Sequence, residues 1–221
     1  MLHIFDIDST VIRKNSAWYF LREALSTGDV RFSQIRNLPF EWIRYKLGKP
    51  NMGFIEEAVS RFAGMEKSAL ERIAGTCFER RIKPNIFAEA SRLITEALNR
   101  GEKVIFATSS LDIIIRPLEC FFGVTESIAS VLEFRDSITT GRLAGDSCFG
   151  QKKKTTVEKW VVKNGYNAAS VCFYSDSYVD IPLLEFCGKA VAVNPDRILA
   201  KEAKKRGWEI VRFKELLSCN I

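Results

Sequence analysis

The 221-residue sequence predicts an α/β fold, in which a doubly wound parallel sheet carries an all-helical segment inserted after its first strand. From residue 86 onward, short apolar runs alternate with stretches of helical periodicity, which is the pattern of a parallel sheet covered by helices. Residues 14–85 show helical periodicity only. Polar clusters directly follow three of the apolar runs, at the edge where ligands bind in such sheets.

The first predicted strand, Leu2–Phe5, ends in two acidic residues, Asp6 and Asp8. Bulky apolar side chains suit a buried strand, whereas unpaired buried carboxylates are costly, so both acids should lie at its C-terminal end. An ordinary acidic turn would contain the same residue types. Two carboxylates that point to one side repel each other unless a cation or a shared proton lies between them. The pair therefore indicates a site for a hard metal ion with oxygen ligands.

Residues 14–85 are predicted to form a separate helical domain, and residues 1–13 and 86–221 the sheet domain. Ser16 is the predicted N-cap of the first inserted helix, which should end near Gly28. The helices predicted in this domain span 16–28, 35–49, 53–63 and 66–81.

The segment 35–49 combines aromatic residues with arginine and lysine in an amphipathic pattern. Such a helix can lie on a membrane surface or line an anion pocket. It can equally be an ordinary bundle helix whose basic side chains cover apolar neighbours with their alkyl stems. Peripheral contact with a membrane or lipid through 35–49 is therefore one hypothesis for a partner.

In the sheet domain, Ser109 and Asp112 have the spacing of a capping box before a helix. Thr140-Gly141 is the predicted turn of a hairpin within 133–145. The predicted strands are 103–107, 127–131, 171–174, 190–193 and 209–213, and the predicted helices are 86–100, 111–122, 152–164, 181–186 and 197–206.

Three polar clusters follow strands, and parallel strands bring their carboxyl ends to one edge of a sheet. A lysine-rich helix start at 152–154 accompanies them. Three polar clusters at the same edge of the sheet are hard to explain as ordinary solvent-exposed residues, so they predict one common site. The clusters are Asp6/Asp8/Thr10, Thr108/Ser109/Ser110 and Asp176/Ser177/Asp180.

The composition, with 47% apolar and 27% charged residues, is that of an ordinary globular protein. No apolar run reaches the ~18 residues that span a bilayer, and the N-terminus enters a strand at once instead of showing a signal peptide. The six cysteines form no Cys-x-x-Cys pair, which indicates free thiols in a reducing compartment, and we expect a cytoplasmic location. The single histidine, His3, has no companion ligands and is expected to be structural.

The net charge of +6 is unevenly distributed. Residues 14–85 hold thirteen Lys or Arg against eight Asp or Glu, so the helical domain is mildly basic. This excess would attract an anionic partner, although a merely solvated surface explains it equally well. It is not the concentrated basic face of a nucleic-acid-binding protein, so we expect no nucleic-acid partner.

These motifs make the chain resemble the phosphohydrolases of the haloacid dehalogenase superfamily. The resemblance rests on Asp-x-Asp-x-Thr at residues 6–10, Thr108-Ser109 after the second strand, a later Lys153, and the pair Asp176 and Asp180. Further segments resemble subfamily IB, which is related to phosphoserine phosphatase; they are 109–117, 148–153, 176–184, 193–196 and 207–208. The resemblance implies a Rossmann-like core and a helical insertion of the C1 cap type.

The resemblance also implies roles for the motif residues. Asp6 would attack phosphorus and form an aspartyl-phosphate, and Asp8 would act as general acid and then as general base. Thr10 would help to hold the turn, while Thr108 and the backbone N–H of Ser109 would bind phosphoryl oxygens.

Lys153 would pair with the phosphoryl group and the nucleophile, with Lys152 or Lys154 as alternatives. The implied cofactor is Mg²⁺, which offsets charge between carboxylate and phosphate. Its implied ligands are Asp6, the backbone carbonyl of Asp8, Asp176 and Asp180.

Departures from the subfamily pattern concern the substrate. Lys14-Asn15 stand where phosphoserine phosphatases usually have a Glu that meets the substrate's ammonium, and Thr108-Ser-Ser replaces their Ser-Gly. Ser175 stands where Gly often precedes the metal-binding Asp. We therefore expect a Mg²⁺-dependent phosphomonoesterase for a small phosphorylated metabolite. The alternatives are a phosphatase of a lipid-linked phosphomonoester, such as a phosphatidylglycerophosphate-like substrate, and a non-catalytic phosphate-binding module.

Overall fold

The computed structural model describes residues 1–28 and 54–217 of the chain. Its strands within these ranges are β1 (Leu2–Phe5), β2 (Lys103–Leu111), β3 (Ser127–Ser130), β4 (Leu132–Arg135), β5 (Ile138–Leu143), β6 (Val171–Ser175), β7 (Lys189–Val193) and β8 (Glu209–Val211). Six of them form one fully parallel sheet in the order β3-β2-β1-β6-β7-β8. Strand order reverses beside β1, so the crevice between β1 and β6 is the expected place for a ligand.

The helices of the described ranges are α1 (Ser16–Ser26), α2 (Phe54–Ser60), α3 (Lys67–Cys77), α4 (Ala88–Asn99), α5 (Asp112–Phe122), α6 (Gly150–Lys163), α7 (Ile181–Phe186) and α8 (Arg197–Arg206). Buried residues of α1, α3, α4 and α5 join the core on one sheet face, and those of α6, α7 and α8 join the core on the other. The doubly wound α/β prediction is confirmed. None of these described helices is long and apolar enough to cross a membrane.

The central strands contribute alternate residues to the two cores. Phe5 and Tyr174 face the first core, where their rings stack with centroids 4.3 Å apart, while Ile4 and Phe173 face the second. All four are buried. Because an apolar core covers each face of the sheet, the sequences of these strands are continuous apolar runs. A polar residue can reach a hydrogen-bond partner only at the strand ends, since burying it without one is costly.

The described part of the predicted cap contains α1, α2 and α3, and the helix predicted at 35–49 lies outside the described residues. The two segments that join this insertion to the sheet domain run side by side. The Arg13 N–H donates to the Asn85 carbonyl at 2.8 Å, and the Phe87 N–H donates to the Val11 carbonyl at 2.9 Å. We propose that these paired links mark the boundary between the cap and the core.

The chain enters the second link through a π-helix, Phe78–Ile82, which is followed directly by a short 3₁₀ turn, Lys83–Asn85. Arg81 in the π-helix donates from Nε to the fully buried carboxylate of Glu23 on α1, at 2.5 Å. This ion pair ties the end of the insertion back to its beginning. Removing Arg81 would leave the buried Glu23 carboxylate with the exposed Arg80, 3.5 Å away, as its remaining ion-pair partner, which is costly.

The predicted hairpin forms, but its predicted turn is wrong. Thr140-Gly141 lies inside β5, and the turn is made by Asp136 and Ser137, which both have positive φ angles of 48° and 66°. Such angles at both central positions are typical of a two-residue hairpin turn. Gly141 is needed for a different reason, because its backbone packs directly against Ala63.

The hairpin also joins the insertion. Between α2 and α3 the chain runs alongside β5, where the Gly64 N–H donates to the Thr139 carbonyl and the Thr139 N–H donates to the Met65 carbonyl, both at 2.9 Å. The Lys67 N–H donates to the Ser137 carbonyl at 2.8 Å. The hairpin thus supports the insertion from the side of the sheet domain.

Two predicted helix caps are also wrong. The N-cap of α1 is Asn15, whose side chain accepts from the Trp18 N–H, and Ser16 is the first helical residue. The helix α5 starts after Leu111 without a side-chain cap. Asp112 instead accepts a hydrogen bond from the Leu132 N–H and so connects α5 to the hairpin.

His3 and the cysteines of the described ranges lie outside the polar clusters at the strand ends, except that Cys148 is buried near them. His3 is buried at the start of β1, with Nε2 3.2 Å from the Glu102 carboxylate. The cysteines of the described ranges are free thiols; Cys120 is exposed and the others are buried.

The fit of Gly141 makes a stability prediction. A Cβ at this position would lie 2.7 Å from the Cβ of Ala63, and φ is +74°, so Gly141→Ala should lower the free energy of unfolding by about 2 kcal/mol. Urea denaturation monitored by circular dichroism would measure the loss. Gly145→Ala is the matched control, because nothing lies within 4 Å of its added Cβ. Equal stability of the two variants would contradict the proposed close contact.

Candidate active site

The loop after β1 brings the first acidic cluster to the edge of the sheet. The Asp6 N–H donates to the Tyr174 carbonyl of β6 at 2.9 Å, which extends the strand pairing by one residue. The N–H groups of Thr10, Val11 and Ile12 then converge on the Ile7 carbonyl at 2.9–3.3 Å. This tight turn reverses the chain at once, so Asp6 and Asp8 remain at the carboxyl end of β1. Thr10 is fully buried in the turn.

Lys153, in the first turn of α6, connects the first and third clusters. Its buried ammonium donates to Asp6 Oδ1 at 2.8 Å and to both oxygens of Asp180, at 3.0 and 2.8 Å. Asp180 also accepts a hydrogen bond from the Ser175 hydroxyl at 2.7 Å. A glycine at position 175 would leave this acceptor with one donor fewer.

The electrostatics of this triad are unbalanced, because two carboxylates face one ammonium. Burial raises the pKa of the Asp6 carboxyl to about 7; Lys153 opposes the rise, and Asp180 and Asp8 add to it. Burial alone would lower the pKa of the Lys153 ammonium, but Asp180 and Asp6 outweigh burial and hold this pKa above its ordinary value. The remaining negative charge would be stabilised by a cation.

The neighbours of Lys153 point elsewhere. Lys152 pairs with Asp146 at 2.7 Å, and Lys154 pairs with Glu158 at 2.7 Å. Of the three consecutive lysines, therefore, the structure brings Lys153 to the carboxylates.

The carboxylate of Asp8 is held by the first residues of the insertion. Asn15 Nδ2 donates to Oδ2 at 2.6 Å, and the Ser16 N–H donates to Oδ1 at 2.8 Å. Burial raises the pKa of Asp8, while the hydrogen bonds from Ser16 and Asn15 oppose the rise. The sequence pattern indicates only a capping role for Ser16 and reveals neither contact.

The second cluster lies in the last residues of β2, which continues to Leu111. Thr108 is fully buried, and its hydroxyl accepts from the Ser110 N–H at 3.1 Å. Ser130 donates from its hydroxyl to the Ser109 carbonyl at 3.1 Å. Ser110 shares a buried 2.6 Å hydrogen bond with the hydroxyl of Ser16. The end of β2 is thereby joined to the start of α1.

Asp176 follows β6 in a loop held from two sides. The Asp196 N–H donates to the Asp176 carbonyl at 2.9 Å, and the Asp196 side chain accepts from the Tyr178 N–H at 2.8 Å. The short 3₁₀ helix Tyr178–Asp180 then turns Asp180 back towards Lys153. The two aspartates of this motif therefore lie in different surroundings.

The residues at this edge fit a magnesium ion. Among the described residues, no three His, Cys, Asp or Glu side chains form a ready metal cluster. Mg²⁺, however, usually takes only one or two carboxylates together with water and phosphate oxygens. Asp6 and Asp176 follow neighbouring, hydrogen-bonded strands, and the triad carries excess negative charge. Both observations agree with such an ion, whereas both oxygens of Asp180 are occupied by Lys153.

A parallel α/β sheet with buried carboxylates and a lysine at its switch point defines a doubly wound α/β protein with a charged ligand site at that edge. The chain matches the haloacid dehalogenase-like hydrolase family over residues 4–185. The protein therefore belongs to the haloacid dehalogenase-like hydrolases, as the sequence motifs indicated.

Two relatives and one solved structure show the extent of the similarity. A histidinol-phosphatase of Neisseria meningitidis is 31% identical over 96% of this chain and 99% of its own length. A phosphoserine phosphatase of Mycobacterium tuberculosis is 28% identical over 95% of this chain and 70% of its own. A crystal structure of a Bordetella pertussis protein of unknown function superposes with a TM-score of 0.86 at 27% identity, covering 95% of this chain and 97% of that one.

The hydroxyl pair between Ser16 and Ser110 yields a second prediction. Ser16→Ala or Ser110→Ala leaves one buried hydroxyl without its partner, so each should cost about 1–2 kcal/mol of unfolding free energy. The double variant should cost less than the sum by about 1 kcal/mol, because the two groups act as one unit. Thr156→Ala, an exposed hydroxyl on α6, is the control. Strictly additive losses in urea denaturation would contradict the pairing.

Proposed function

We propose that the protein is a Mg²⁺-dependent phosphomonoesterase that acts on a small phosphorylated metabolite through an aspartyl-phosphate on Asp6. The observation that carries this proposal is the buried triad of Asp6, Lys153 and Asp180 at the carboxyl ends of β1 and β6. A carboxylate held by a fixed ammonium, at the ligand edge of an α/β sheet, suits the binding and transfer of a phosphoryl group.

In the first step, an oxygen of Asp6 attacks phosphorus and the bond from phosphorus to the alcohol oxygen breaks. Lys153 favours the ionised form of Asp6 and orients it, while Asp180 and Ser175 fix the ammonium in turn. Asp8 transfers its proton to the departing alkoxide, which leaves as the alcohol. We propose that Thr108 and the Ser109 backbone N–H hold the phosphoryl oxygens.

In the second step, water attacks the phosphorus of the aspartyl-phosphate. Asp8, now ionised, takes a proton from that water, the bond from Asp6 to phosphorus breaks, and inorganic phosphate is released. Asp8 is then protonated again and Asp6 is a free carboxylate. Asp8 thus acts as the general acid in the first step and as the general base in the second.

We propose that Mg²⁺ is held by Asp6, the Asp8 backbone carbonyl and Asp176, with Asp180 beside this shell as the partner of Lys153. When bound, the ion supplies positive charge between the Asp6 carboxylate and the phosphate, two anions that otherwise repel each other. The excess negative charge of the triad supports this assignment.

For the substrate we propose a phosphate ester of a small alcohol, with histidinol phosphate as the first candidate. The histidinol-phosphatase relative is 31% identical and is matched over 99% of its length, whereas the phosphoserine phosphatase relative is 28% identical and is matched over 70% of its length. We further propose that the insertion closes over the site about its links near residues 11–14 and 81–85, which would exclude water from the first step.

The third prediction concerns turnover. Phosphate release from histidinol phosphate should need Mg²⁺, fall to background after EDTA treatment, and return when Mg²⁺ is restored. Asp6→Asn should lower kcat by at least about 10³-fold, because it removes the nucleophile. Asp136→Asn, in the exposed hairpin turn, is the matched control and should keep full activity. Malachite-green detection of phosphate would report all five rates.

The same assay distinguishes the alternatives when phosphoserine and micellar phosphatidylglycerophosphate are included. Turnover of the lipid substrate alone would support the lipid-linked hypothesis instead. No turnover on any ester, combined with failure to form a Mg²⁺-dependent beryllofluoride adduct on Asp6, would overturn the enzymatic proposal in favour of a phosphate-binding module.

A further inference from the structure

The Asn15 side chain has two partners at once. Its Oδ1 accepts from the Trp18 N–H at 2.9 Å, and its Nδ2 donates to Asp8 Oδ2 at 2.6 Å. The two contacts fix the orientation of the amide, because exchanging oxygen and nitrogen would place oxygen against carboxylate and NH₂ against N–H. Asn15 therefore joins the start of α1 to Asp8.

The next residue completes the arrangement. The Ser16 N–H donates to Asp8 Oδ1 at 2.8 Å, so the two carboxylate oxygens are bound by two consecutive residues at one helix start. The Ser16 hydroxyl pairs with Ser110 at 2.6 Å in a buried contact. Since Ser110 also donates its N–H to Thr108, this helix start is tied to the end of β2.

These contacts restrict both the position of the Asp8 carboxyl group and the location of its proton. Asn15 Nδ2 and Ser16 N are donors without a free lone pair, so neither can accept the acidic proton. In the protonated form of Asp8, that proton must occupy a lone pair turned away from α1. A carboxyl group with this restriction is ready to donate into the crevice, whereas an untethered one must first be oriented.

We propose that Asn15 is a positioning residue for Asp8, and that it holds the general acid in the orientation in which it protonates the departing alkoxide. The inference rests on the proposed function, because it gives Asn15 a role only if Asp8 is the acid. Its contribution should be greatest for esters whose leaving group needs a proton.

The competing hypothesis is that Asn15 serves only as a helix cap. Asn15→Ser separates the two roles, since serine is as good an N-cap as asparagine but its side chain is too short to keep the amide donor at Asp8. Asn15→Ala removes both the cap and the donor. Asn15→Asp keeps the cap but places a second carboxylate against Asp8, which adds like-charge repulsion.

The test compares kcat/KM for two substrates of different leaving-group strength. One is an alkyl phosphomonoester that the wild type hydrolyses, and the other is 4-nitrophenyl phosphate, whose phenolate leaves without a proton. The ratio kcat/KM reports the steps up to phosphoryl transfer and is insensitive to the later base role of Asp8. Thermal unfolding of each variant measures the capping role separately.

Asn15→Ser and Asn15→Ala should each lower kcat/KM for the alkyl ester about 30-fold, a fraction of the 10²- to 10⁴-fold effect of general acid catalysis. For 4-nitrophenyl phosphate the change should stay within about threefold. Asn15→Asp should be the most impaired of the three on the alkyl ester. Of Asn15→Ser and Asn15→Ala, the alanine variant should unfold at the clearly lower temperature, because it alone loses the helix cap.

The outcomes separate this inference from the proposed function. If the wild type hydrolyses both esters and Asn15→Ser behaves like the wild type, Asn15 is only a cap and the inference is wrong. Equal losses on the alkyl and aryl esters overturn it as well. If the wild type hydrolyses neither ester, the proposed function fails first, and the inference fails with it.

Discussion

The buried ammonium of Lys153 is the interaction on which the rest of the site depends. It lies between Asp6, which follows β1, and Asp180, which comes after β6, and thus connects α6 to two central strands. All three side chains are buried, so removing Lys153 would leave both carboxylates without their counter-ion, at a cost of roughly 3–5 kcal/mol. The apolar cores on both sheet faces enclose the strands, and only the carboxyl edge of the sheet remains for polar groups.

The triad cannot be explained by stability alone, because replacing a buried ion pair with apolar residues often stabilises a protein. Two carboxylates also face one ammonium, and Asp180 adds to the rise in the pKa of Asp6 that burial causes. Buried titratable clusters of this kind are typical of functional sites, and a cation would offset the excess negative charge. Membership of the haloacid dehalogenase-like hydrolases agrees with this reasoning, although the roles of the individual residues remain our proposals.

Much of the fold could be predicted from the sequence, because apolar runs such as Leu2–Phe5 and the alternation after residue 86 are compatible with few other folds. The wrong predictions fall where one residue type satisfies two physical requirements. Gly141 suits a turn, but it also permits the close approach of Ala63, and only the tertiary packing decides between them. Asn15 and Ser16 are both good caps, and the position of Asp8 selects Asn15. Likewise, the spacing of Asp176 and Asp180 predicts that both lie at the site, but the intervening 3₁₀ turn determines which of them meets Lys153.

Asp6 and Asp8 are two residues apart in one loop, yet different parts of the fold hold them. Lys153 of the core binds Asp6, whereas Asn15 and Ser16 of the insertion bind Asp8. A movement of α1 would therefore displace the proposed acid and base while leaving the proposed nucleophile in place. The paired links beside residues 13 and 85, together with the hairpin contact at residues 64–67, limit how far α1 can move. If Asp8 is the general acid, as we propose, phosphoryl transfer to Asp6 would depend on the position of the insertion, because Asn15 and Ser16 orient the Asp8 carboxyl group.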